Sequence, residues 1–418
     1  MDSASAYMSE MSTPDPDEVL DNGLLSEHPT LNDYCWLMIF KHLSIGDLAN
    51  FRASFKDLAT VTDMEFNKVT HGSLLFGFDD NENMIEVIKQ FGHLIKDLCF
   101  DYDKLRGITW KEIFTAMGEN CNDNLKKLSL GGRSLLFMKK EDILPIENIL
   151  KNIETLEFDN DDDSRHRFPK HYLHILSHCE KLRELTVIGV IDINLHKTLF
   201  ENNRNLLKLK WFGPKDSSAL KNIVDNLMHT RLEEFAISFM HMTPFMRNFS
   251  EFLRLSHLKR LSIDCKFVDL TDFLSDIDTV DNSLTLLTLS FARLDHKNIG
   301  TLGRIKRLKV IKLCDDCIMA TTSYIISLQI LCGNRNVEHL LIFCCDKIGA
   351  IDETNFLKIV DIRKRIGAEN CLHLTLSRDI YNTSLKAIPS ELLEANKDVL
   401  KLIDEYDSDY EYNDLDDF

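Results

Sequence analysis

The stretch LKRLSID at residues 258–264 recurs in close variants along the chain. The variants are LKKLSLG from residue 125, LRELTVI from residue 182 and LTLLTLS from residue 284. In each variant an apolar residue is followed by the pattern x-x-apolar-x-apolar, so that Leu261 and Ile263 alternate with polar residues. Alternation with a period of two is typical of a short β-strand with one buried face. The chain therefore builds the same strand repeatedly.

The copies of this pattern are regularly spaced, at intervals of 24 to 34 residues. Their first residues are Ile95, Leu125, Ile153, Leu182, Leu206, Leu232, Leu258, Leu284, Leu308, Val337 and, in a weaker copy, Cys371. Most copies are followed by a polar turn and a helix-like stretch, such as SALKNIVDNLM at residues 218–228. One strand and one helix cannot bury their apolar faces alone, so the copies must stack on each other. This predicts an α/β solenoid with parallel strands.

The repeats resemble the leucine-rich repeat family from about residue 72 to residue 403. Cys121, Cys179 and Cys332 lie a few residues ahead of a strand, and Cys345 occupies the ninth position of its repeat. These positions are similar to those of the cysteine-containing class of the family. The resemblance implies a horseshoe with parallel strands on the concave face and helices outside.

A different pattern precedes the repeats, in LNDYCWLMIFKHLSIGDLANFRASFKDL at residues 31–58. Ile39, Phe40 and Leu43 have helical spacing, and Asp47 is placed to cap a second helix after a break. A third helix is predicted through residues 55–69. Three short helices make a small core, so such a module is expected to need a partner surface.

This N-terminal stretch resembles the F-box over 28 ungapped positions. Asn32 stands where the family usually has Pro, and Leu58 where Trp is common. In that family the helices bind a Skp-family adaptor, which attaches the protein to a cullin-based ubiquitin ligase. The adaptor-binding residues that the resemblance implies are Leu31, Asn32, Trp36, Ile39, Phe40, Leu43, Asp47, Leu48 and Phe51. The alternative is an amphipathic helical cap on the first repeat.

Acidic residues are concentrated at the two ends of the chain. Residues 1–27 contain seven acids and residues 404–418 contain eight, and neither segment has a Lys or Arg. Of the net charge of −18, only −3 therefore belongs to the body. We expect disordered acidic tails, and no basic surface for nucleic acid. The predicted organisation is a tail at 1–27, an F-box-like helical module at 28–71, a capping segment at 72–94, about eleven repeats at 95–403 and a tail at 404–418.

The composition favours a protein of the cytoplasm, the nucleus or both. The N-terminus has no basic start and apolar run, and the longest apolar stretch, near residues 324–332, is too short to span a bilayer. We therefore predict no membrane partner. Eleven cysteines at irregular spacing favour reduced thiols over a disulfide framework.

Histidines form one candidate metal pattern. His171, His174 and His178 fall on one face of a predicted helix, and Cys179 follows them. Residues at this spacing are neighbours on a helix surface, which a set of metal ligands requires. Solvated histidines on a solenoid helix are the favoured interpretation of the spacing alone.

Other chemical motifs are incomplete. Cys314-x-x-Cys317 is half of a zinc pattern, but the adjacent cysteines at 344–345 cannot supply the other half. The stretch at 159–170 has calcium-loop spacing with Ser and Lys at the positions that need Gly and Glu. The chain has no H-E-x-x-H, G-x-S-x-G or Walker motif. We predict no catalytic residue, cofactor or metal, and no enzymatic activity.

Charged residues occupy the outward positions of the predicted strands, and their sign alternates between repeats. This pattern is consistent with a mixed-charge surface for a protein partner, with Leu341 and Phe343 as an apolar anchor. The candidate residues are Lys208, Lys210, Lys259, Arg260, Lys309, Lys312, His339, Leu341 and Phe343. For any single charge, the alternative is a lateral ion pair between neighbouring strands.

The order of modules, helices and then repeats, predicts a substrate-recognition subunit of a Skp-cullin-F-box ubiquitin ligase. In this hypothesis the helices bind the adaptor and the solenoid binds an unidentified target protein. One alternative is an interaction scaffold without a ligase. The other is an acidic leucine-rich protein whose tail at 404–418 binds basic partners.

Overall fold

The computed structural model describes residues 31–77, 83–101, 107–121, 123–132, 138–159, 172–188, 196–212, 217–239, 249–265, 270–290, 294–314, 324–343 and 349–407. The predicted tail at 1–27 and residues 408–418 of the other tail lie outside this part. So do His171, Cys317, the cysteines at 344–345 and all but the first residue of the calcium-like stretch. No described helix has the length and apolar character needed to cross a bilayer.

Thirteen described strands form one parallel sheet, in which their spatial order is their order in the chain. The strands are β1 Ser73–Phe76, β2 Asp97–Asp101, β3 Lys127–Gly131, β4 Thr155–Asp159, β5 Glu184–Ile188, β6 Lys208–Phe212, β7 Glu234–Phe239, β8 Arg260–Cys265, β9 Leu286–Ser290, β10 Val310–Cys314, β11 His339–Ile342, β12 Leu372–Leu376 and β13 Leu400–Asp404. Parallel neighbours require a crossover after every strand. This order confirms the predicted parallel solenoid.

Helices precede the sheet and occupy most of the crossovers. They are α1 Asp33–Phe40, α2 Ile45–Ser54, α3 Ala59–Thr70, α4 Met84–Phe91, α5 Trp110–Asn120, α6 Lys140–Ile143, α7 Glu147–Leu150, α8 Tyr172–His178, α9 His196–Asn202, α10 Ser217–Leu227, α11 Thr271–Asp276, α12 His296–Leu302, α13 Tyr324–Cys332, α14 Glu353–Arg365, α15 Arg378–Ala387 and α16 Ser390–Ala395. Between β7 and β8 a 3-10 segment, Phe249–Arg254, takes the place of the helix. The repeat unit is therefore a strand followed by a helix or helical turn, as in a leucine-rich repeat.

Two rows of inward side chains run through the sheet and form the core. The first row, from strand to strand, is Leu74, Leu98, Leu128, Leu156, Leu185, Leu209, Phe235, Leu261, Leu287, Ile311, Leu340, Leu374 and Leu402. All thirteen are buried. The second row lies two residues further along each strand and is buried from Phe76 to Leu376. The apolar alternation in the sequence thus marks the face of the sheet that the helices cover.

The sheet has two more strands than the eleven copies that the periodicity identifies. β1 lies in the segment expected to be a cap, and His71 stands where its repeat should have an aliphatic residue. β13 ends on Asp404, at a position that is apolar in every other strand. Each end strand lacks one residue of the apolar pattern, so the periodicity identifies neither of them.

The C-terminal end of the core closes with charged groups. Asp404 is buried, and its carboxylate accepts a hydrogen bond from Nε of Arg378 at 3.3 Å. The same guanidinium lies 4.5 Å from the ring centroid of Tyr406. This contact falls past residue 403, where the sequence analysis ended the solenoid.

The cysteines ahead of the strands are buried thiols. Cys121, Cys179 and Cys332 are each at most 7% exposed. Burial raises the pKa of each of these thiols to about 12. In this environment they pack as small apolar residues.

Buried asparagines lie at a similar place, ahead of β6 and β11. Asn203 and Asn334 each lie three residues ahead of a repeat's first apolar residue. The Asn203 side-chain amide donates to Cys179 O at 2.8 Å, and its oxygen accepts from Leu182 N at 2.9 Å. These bonds satisfy backbone groups where one repeat meets the next, so the asparagine joins neighbouring turns of the solenoid.

The N-terminal helices pack as a bundle on the first repeat. Ser44 is the N-cap of α2 and accepts from Asp47 N at 3.1 Å, so Ser44 and not Asp47 caps this helix. Arg52 on α2 donates to Asp63 on α3 at 2.8 Å and to Gln90 on α4 at 3.1 Å. The rings of Phe66 on α3 and Phe91 on α4 stack with centroids 4.2 Å apart. These contacts fix the bundle on the solenoid.

Candidate protein-interaction surfaces

One face of α1 presents large apolar side chains to solvent. Tyr34 is 70% exposed, Met38 and Ile39 are each 43% exposed, and Leu31 just before the helix is 39% exposed. The opposite side of the helix packs into the bundle through Phe40, which is 1% exposed. A helix that is apolar on all sides is normally buried on all sides. The four exposed residues, called the α1 surface below, are therefore a candidate contact site.

Exposed apolar side chains are concentrated at this end of the protein. Eight of the thirteen large apolar side chains that are exposed in the described part lie between residues 31 and 75. Outside the α1 surface they are Phe55, Met64, Val69 and Leu75. Single exposed apolar residues are ordinary on protein surfaces, whereas a concentration of them is typical of an interaction site.

The predicted adaptor-binding residues differ in exposure. Leu31, Asn32, Ile39 and Asp47 are exposed, Trp36, Leu43 and Phe51 are half-buried, and Phe40 and Leu48 are buried. The ring of Phe40 lies 5.6 Å from that of Trp36 and 4.9 Å from that of Phe51. Phe40 and Leu48 therefore belong to the core of the bundle and do not form part of a contact surface. Asn32 is the N-cap of α1 and accepts from Cys35 N at 2.9 Å.

Tyr34 and Met38 are absent from the predicted set. Their spacing with Leu31, at i, i+3 and i+7, is a signal of one helix face. However, Phe40 and Leu37 give α1 a second apolar face. Spacing alone does not tell which of two apolar faces turns inward.

The uncovered face of the sheet, called the open face below, carries the alternating charges as lateral ion pairs. The pairs are Lys126–Glu154 at 3.4 Å, Lys127–Glu157 at 3.1 Å, Arg183–Glu154 at 3.6 Å, Lys208–Glu184 at 3.2 Å, Lys259–Glu233 at 2.9 Å, Arg260–Glu234 at 3.7 Å and Lys309–Glu338 at 3.2 Å. Four of the predicted target-binding residues are thus neutralised by the neighbouring strand. The alternation of charge follows from this pairing, which is the alternative to a contact surface that the sequence allows for each single charge.

The C-terminal part of the open face is apolar and buried. Leu341 and Phe343 are 0% and 2% exposed, and they form a small cluster with Val310 and Cys314, separate from the main core. The ammonium of Lys312, itself buried, lies 5.6 Å from the ring centroid of Phe343. Leu341 and Phe343 are therefore not available in this structure as the apolar anchor that the sequence predicted.

The two remaining predicted contacts are half-buried. His339 packs edge to face on His373 of the next strand, with ring centroids 4.6 Å apart. Lys210 lies in the middle of β6 and is also half-buried. Both lie on the open face, where the prediction placed them.

A polar cavity of about 360 Å³ lies among the turns that lead into β10, β11 and β12. Its lining residues are Lys306, Arg307, Lys309, Arg335, Asn336, Glu338, Gly367, Glu369 and Asn370. Four cations and two carboxylates line the cavity, and two of the cations are paired, Lys309 with Glu338 and Arg307 with Asp281 outside the lining. No sequence pattern predicts this cavity, because its residues come from the turns of three successive repeats.

Glu154 holds two of the lateral ion pairs, with Lys126 and Arg183. Replacing Glu154 by lysine places three cations side by side on the open face. We expect the free energy of unfolding to fall by about 1 kcal/mol at low salt, and by less at high salt, because surface charges are screened. The measurement is urea unfolding at two ionic strengths. Glu119→Lys, at an exposed position of α5, makes the same change in net charge away from the ladder. Equal stability of the two variants at low salt contradicts the prediction.

Comparison with known proteins gives likenesses of shape only. No protein-family model matches the chain, and no curated protein sequence matches it. A structure of the leucine-rich repeat-containing protein LegL7 from Legionella pneumophila is 16% identical at a TM-score of 0.41, covering 80% of this chain and 92% of that one. Rad7, in its yeast complex with Elc1, is 13% identical at a TM-score of 0.44, and the match covers 89% of this chain and 92% of that one. An internalin from Listeria monocytogenes is 17% identical at a TM-score of 0.40, and the match covers 82% of this chain and 93% of that one. The assignment of a repeat solenoid therefore depends on the strand order and register of this chain itself.

Proposed function

We propose that this chain is a substrate-recognition subunit of a Skp-cullin-F-box ubiquitin ligase. The N-terminal bundle binds a Skp-family adaptor through the α1 surface, and the solenoid binds a target protein. The observation that carries the proposal is the exposed apolar face of α1, on a helix whose other face is already buried in the bundle. Burying a large apolar side chain contributes roughly 1.5–3 kcal/mol, which gives this face a strong tendency to acquire a partner.

The packing of the bundle on the first repeat supports the mechanism. The hydrogen bond from Arg52 to Gln90 and the stacking of Phe66 on Phe91 join the bundle to α4. An adaptor bound to α1 therefore fixes the direction of the whole solenoid. The chain acts by proximity. A target held on the solenoid is confined near the ubiquitin-carrying ligase, so its lysines are presented at a high effective concentration.

The solenoid offers two places for a target. The open face is long but its charges are largely paired within the sheet, which lowers their attraction for a partner. The cavity ahead of β10, β11 and β12 has more cations than carboxylates. We place the target contact at this cavity and its surroundings, and we expect an acidic segment of the target to enter it.

The test is copurification of the full chain with a Skp-family adaptor. The triple variant Tyr34→Ser, Met38→Ser, Ile39→Ser removes most of the α1 surface without touching buried residues. We expect an equimolar complex with the wild-type chain and at least about tenfold weaker binding with the variant, because central apolar contacts dominate such interfaces. Circular dichroism should show an unchanged fold, since exposed substitutions typically change stability by about 0.5 kcal/mol or less.

The matched control is Ile326→Ser with Leu385→Ser, which removes exposed apolar side chains far along the solenoid. It should bind the adaptor as the wild-type chain does. A wild-type chain that forms no complex would remove the ligase role, and the bundle would then be a cap for the first repeat. A triple variant that binds as tightly as the control would place the adaptor elsewhere.

A further inference from the structure

Three potential metal ligands meet on the helical side of the solenoid. His174 and His178 lie one turn apart on α8, and Glu147 is the first residue of α7. The two histidine Nε2 atoms are 3.4 Å apart. Oε1 of Glu147 lies 3.4 Å from Nε2 of His174 and 3.3 Å from Nε2 of His178. All three side chains are between 23% and 31% exposed, so an ion can reach them from solvent.

The three atoms form a nearly equilateral triangle whose size matches one face of a zinc tetrahedron. Zinc binds histidine nitrogen and carboxylate oxygen at about 2.0–2.1 Å, which makes the ligand-to-ligand edge of a tetrahedron about 3.3–3.4 Å. An ion just outside the plane of the triangle therefore lies within coordination distance of all three atoms. Two nitrogens and one oxygen are also ligand types that suit zinc.

A simple ion pair explains the arrangement less well. Glu147 can neutralise one protonated histidine, but both Nε2 atoms point at the same oxygen and at each other. The neutral imidazole is the form that binds metal, with the lone pair of Nε2 free to coordinate.

We propose that Glu147, His174 and His178 bind one Zn²⁺ ion, with a fourth position open to water or to a group from outside the chain. The site joins α7, which precedes β4, to α8, which follows it. It is thus a clamp across two consecutive repeats. Cys179 is not among the ligands, because its thiol is fully buried and donates to Ile175 O at 3.5 Å. The sequence pattern of the histidines lacked Glu147, which comes from the preceding repeat.

The proposal is tested by zinc titration of the full chain against a competing chelator, repeated with Co²⁺, whose visible absorption reports four-coordinate binding. The variants are His174→Asn, His178→Asn and Glu147→Gln. Loss of an outer-shell partner weakens metal affinity by roughly 10- to 100-fold, and loss of a direct ligand should cost at least as much. We expect each variant to lose one equivalent of zinc under conditions that saturate the wild-type chain, and to lose the rise in melting temperature that zinc produces.

The control is His229→Asn, which removes an exposed histidine outside the cluster. It is needed because the chain has eleven cysteines, and thirteen histidines besides His174 and His178, that can bind zinc elsewhere. The control should retain the equivalent that the three variants lose. Equal zinc uptake by His174→Asn, His178→Asn and the control overturns the proposal, as does a wild-type chain that takes up no zinc. Neither result depends on whether the adaptor binds.

Discussion

Replacing Arg363 by alanine is expected to lower the free energy of unfolding by about 3–5 kcal/mol, through lost packing and unsatisfied carbonyl groups. Arg363 lies on α14 and is only 1% exposed, and it is among the largest fully buried side chains of the described part. Its guanidinium donates to Asn334 O at 2.7 Å, to Cys332 O at 3.4 Å and to Asn370 O at 2.9 Å. Two of the carbonyls lie ahead of β11, at the end of α13 and just after it, and the third lies ahead of β12. One side chain therefore holds two repeats together.

The environment of this cation explains why it is tolerated. Cys332 is the last residue of α13, and the carbonyl end of a helix attracts positive charge. Burial lowers the pKa of the guanidinium below its usual range, although an arginine stays charged in proteins. None of its described hydrogen-bond partners is a carboxylate, so removing the guanidinium leaves no buried negative charge unpaired among them. The variant therefore loses stability through the cavity and the unsatisfied carbonyl oxygens. It regains part of this loss, because it no longer has to bury a cation.

Urea unfolding, with hydrogen exchange at α13, β11 and α14, measures the effect and locates it. Arg365→Ala is the control, because this residue is exposed on the same helix and should change stability by about 0.5 kcal/mol or less. The free energy of unfolding of Arg363→Lys should lie between those of the two alanine variants, since lysine keeps the charge but cannot form the forked set of hydrogen bonds. Indistinguishable unfolding of the two alanine variants would show that the carbonyls find other donors.

The sequence predicted the solenoid well because one periodic constraint fixes it. Stacked repeats place an apolar residue at the same register in every strand, and all residues from Ile95 to Val337 that begin a copy of the pattern are buried. The constraint weakens at the ends, where a strand has only one neighbour. There His71 and Asp404 replace apolar residues, and the periodicity misses β1 and β13.

The candidate sites were less predictable, because they depend on which repeats meet and which faces remain uncovered. Alternating charges on the strands indicated either a contact surface or lateral pairing, and only the register shows Lys259 against Glu233. Likewise, Leu341 reads as an outward apolar residue, yet it is buried in a cluster on the open face. Glu147 and His174 approach each other across two repeats, and sequence spacing does not encode that approach.

Replacing Gly118 by alanine is expected to lower the free energy of unfolding by about 2–3 kcal/mol, near the upper end of the usual cost of overpacking. Gly118 lies in α5, where alanine normally favours a helix by about 1 kcal/mol. A Cβ atom at this position would clash with the carbonyl oxygen of Pro145 and would lie 2.9 Å from its carbonyl carbon. Because these are backbone atoms of the turn between α6 and α7, they cannot rotate away. The helix must move off the turn and lose the packing of its neighbours Ile113 and Met117, both buried.

Gly300 in α12 provides the opposite case for the same substitution. A Cβ atom there would meet only the Nη2 atom of Arg304, at 4.0 Å, which is the far end of a flexible side chain. Gly300→Ala should therefore raise the free energy of unfolding by about 0.5–1 kcal/mol, since it gains helix propensity without a clash. The melting temperature and the urea midpoint should lie below those of the wild-type chain for Gly118→Ala and above them for Gly300→Ala. A Gly118→Ala variant that is as stable as Gly300→Ala would mean that α5 and the turn at Pro145 do not pack this closely in solution.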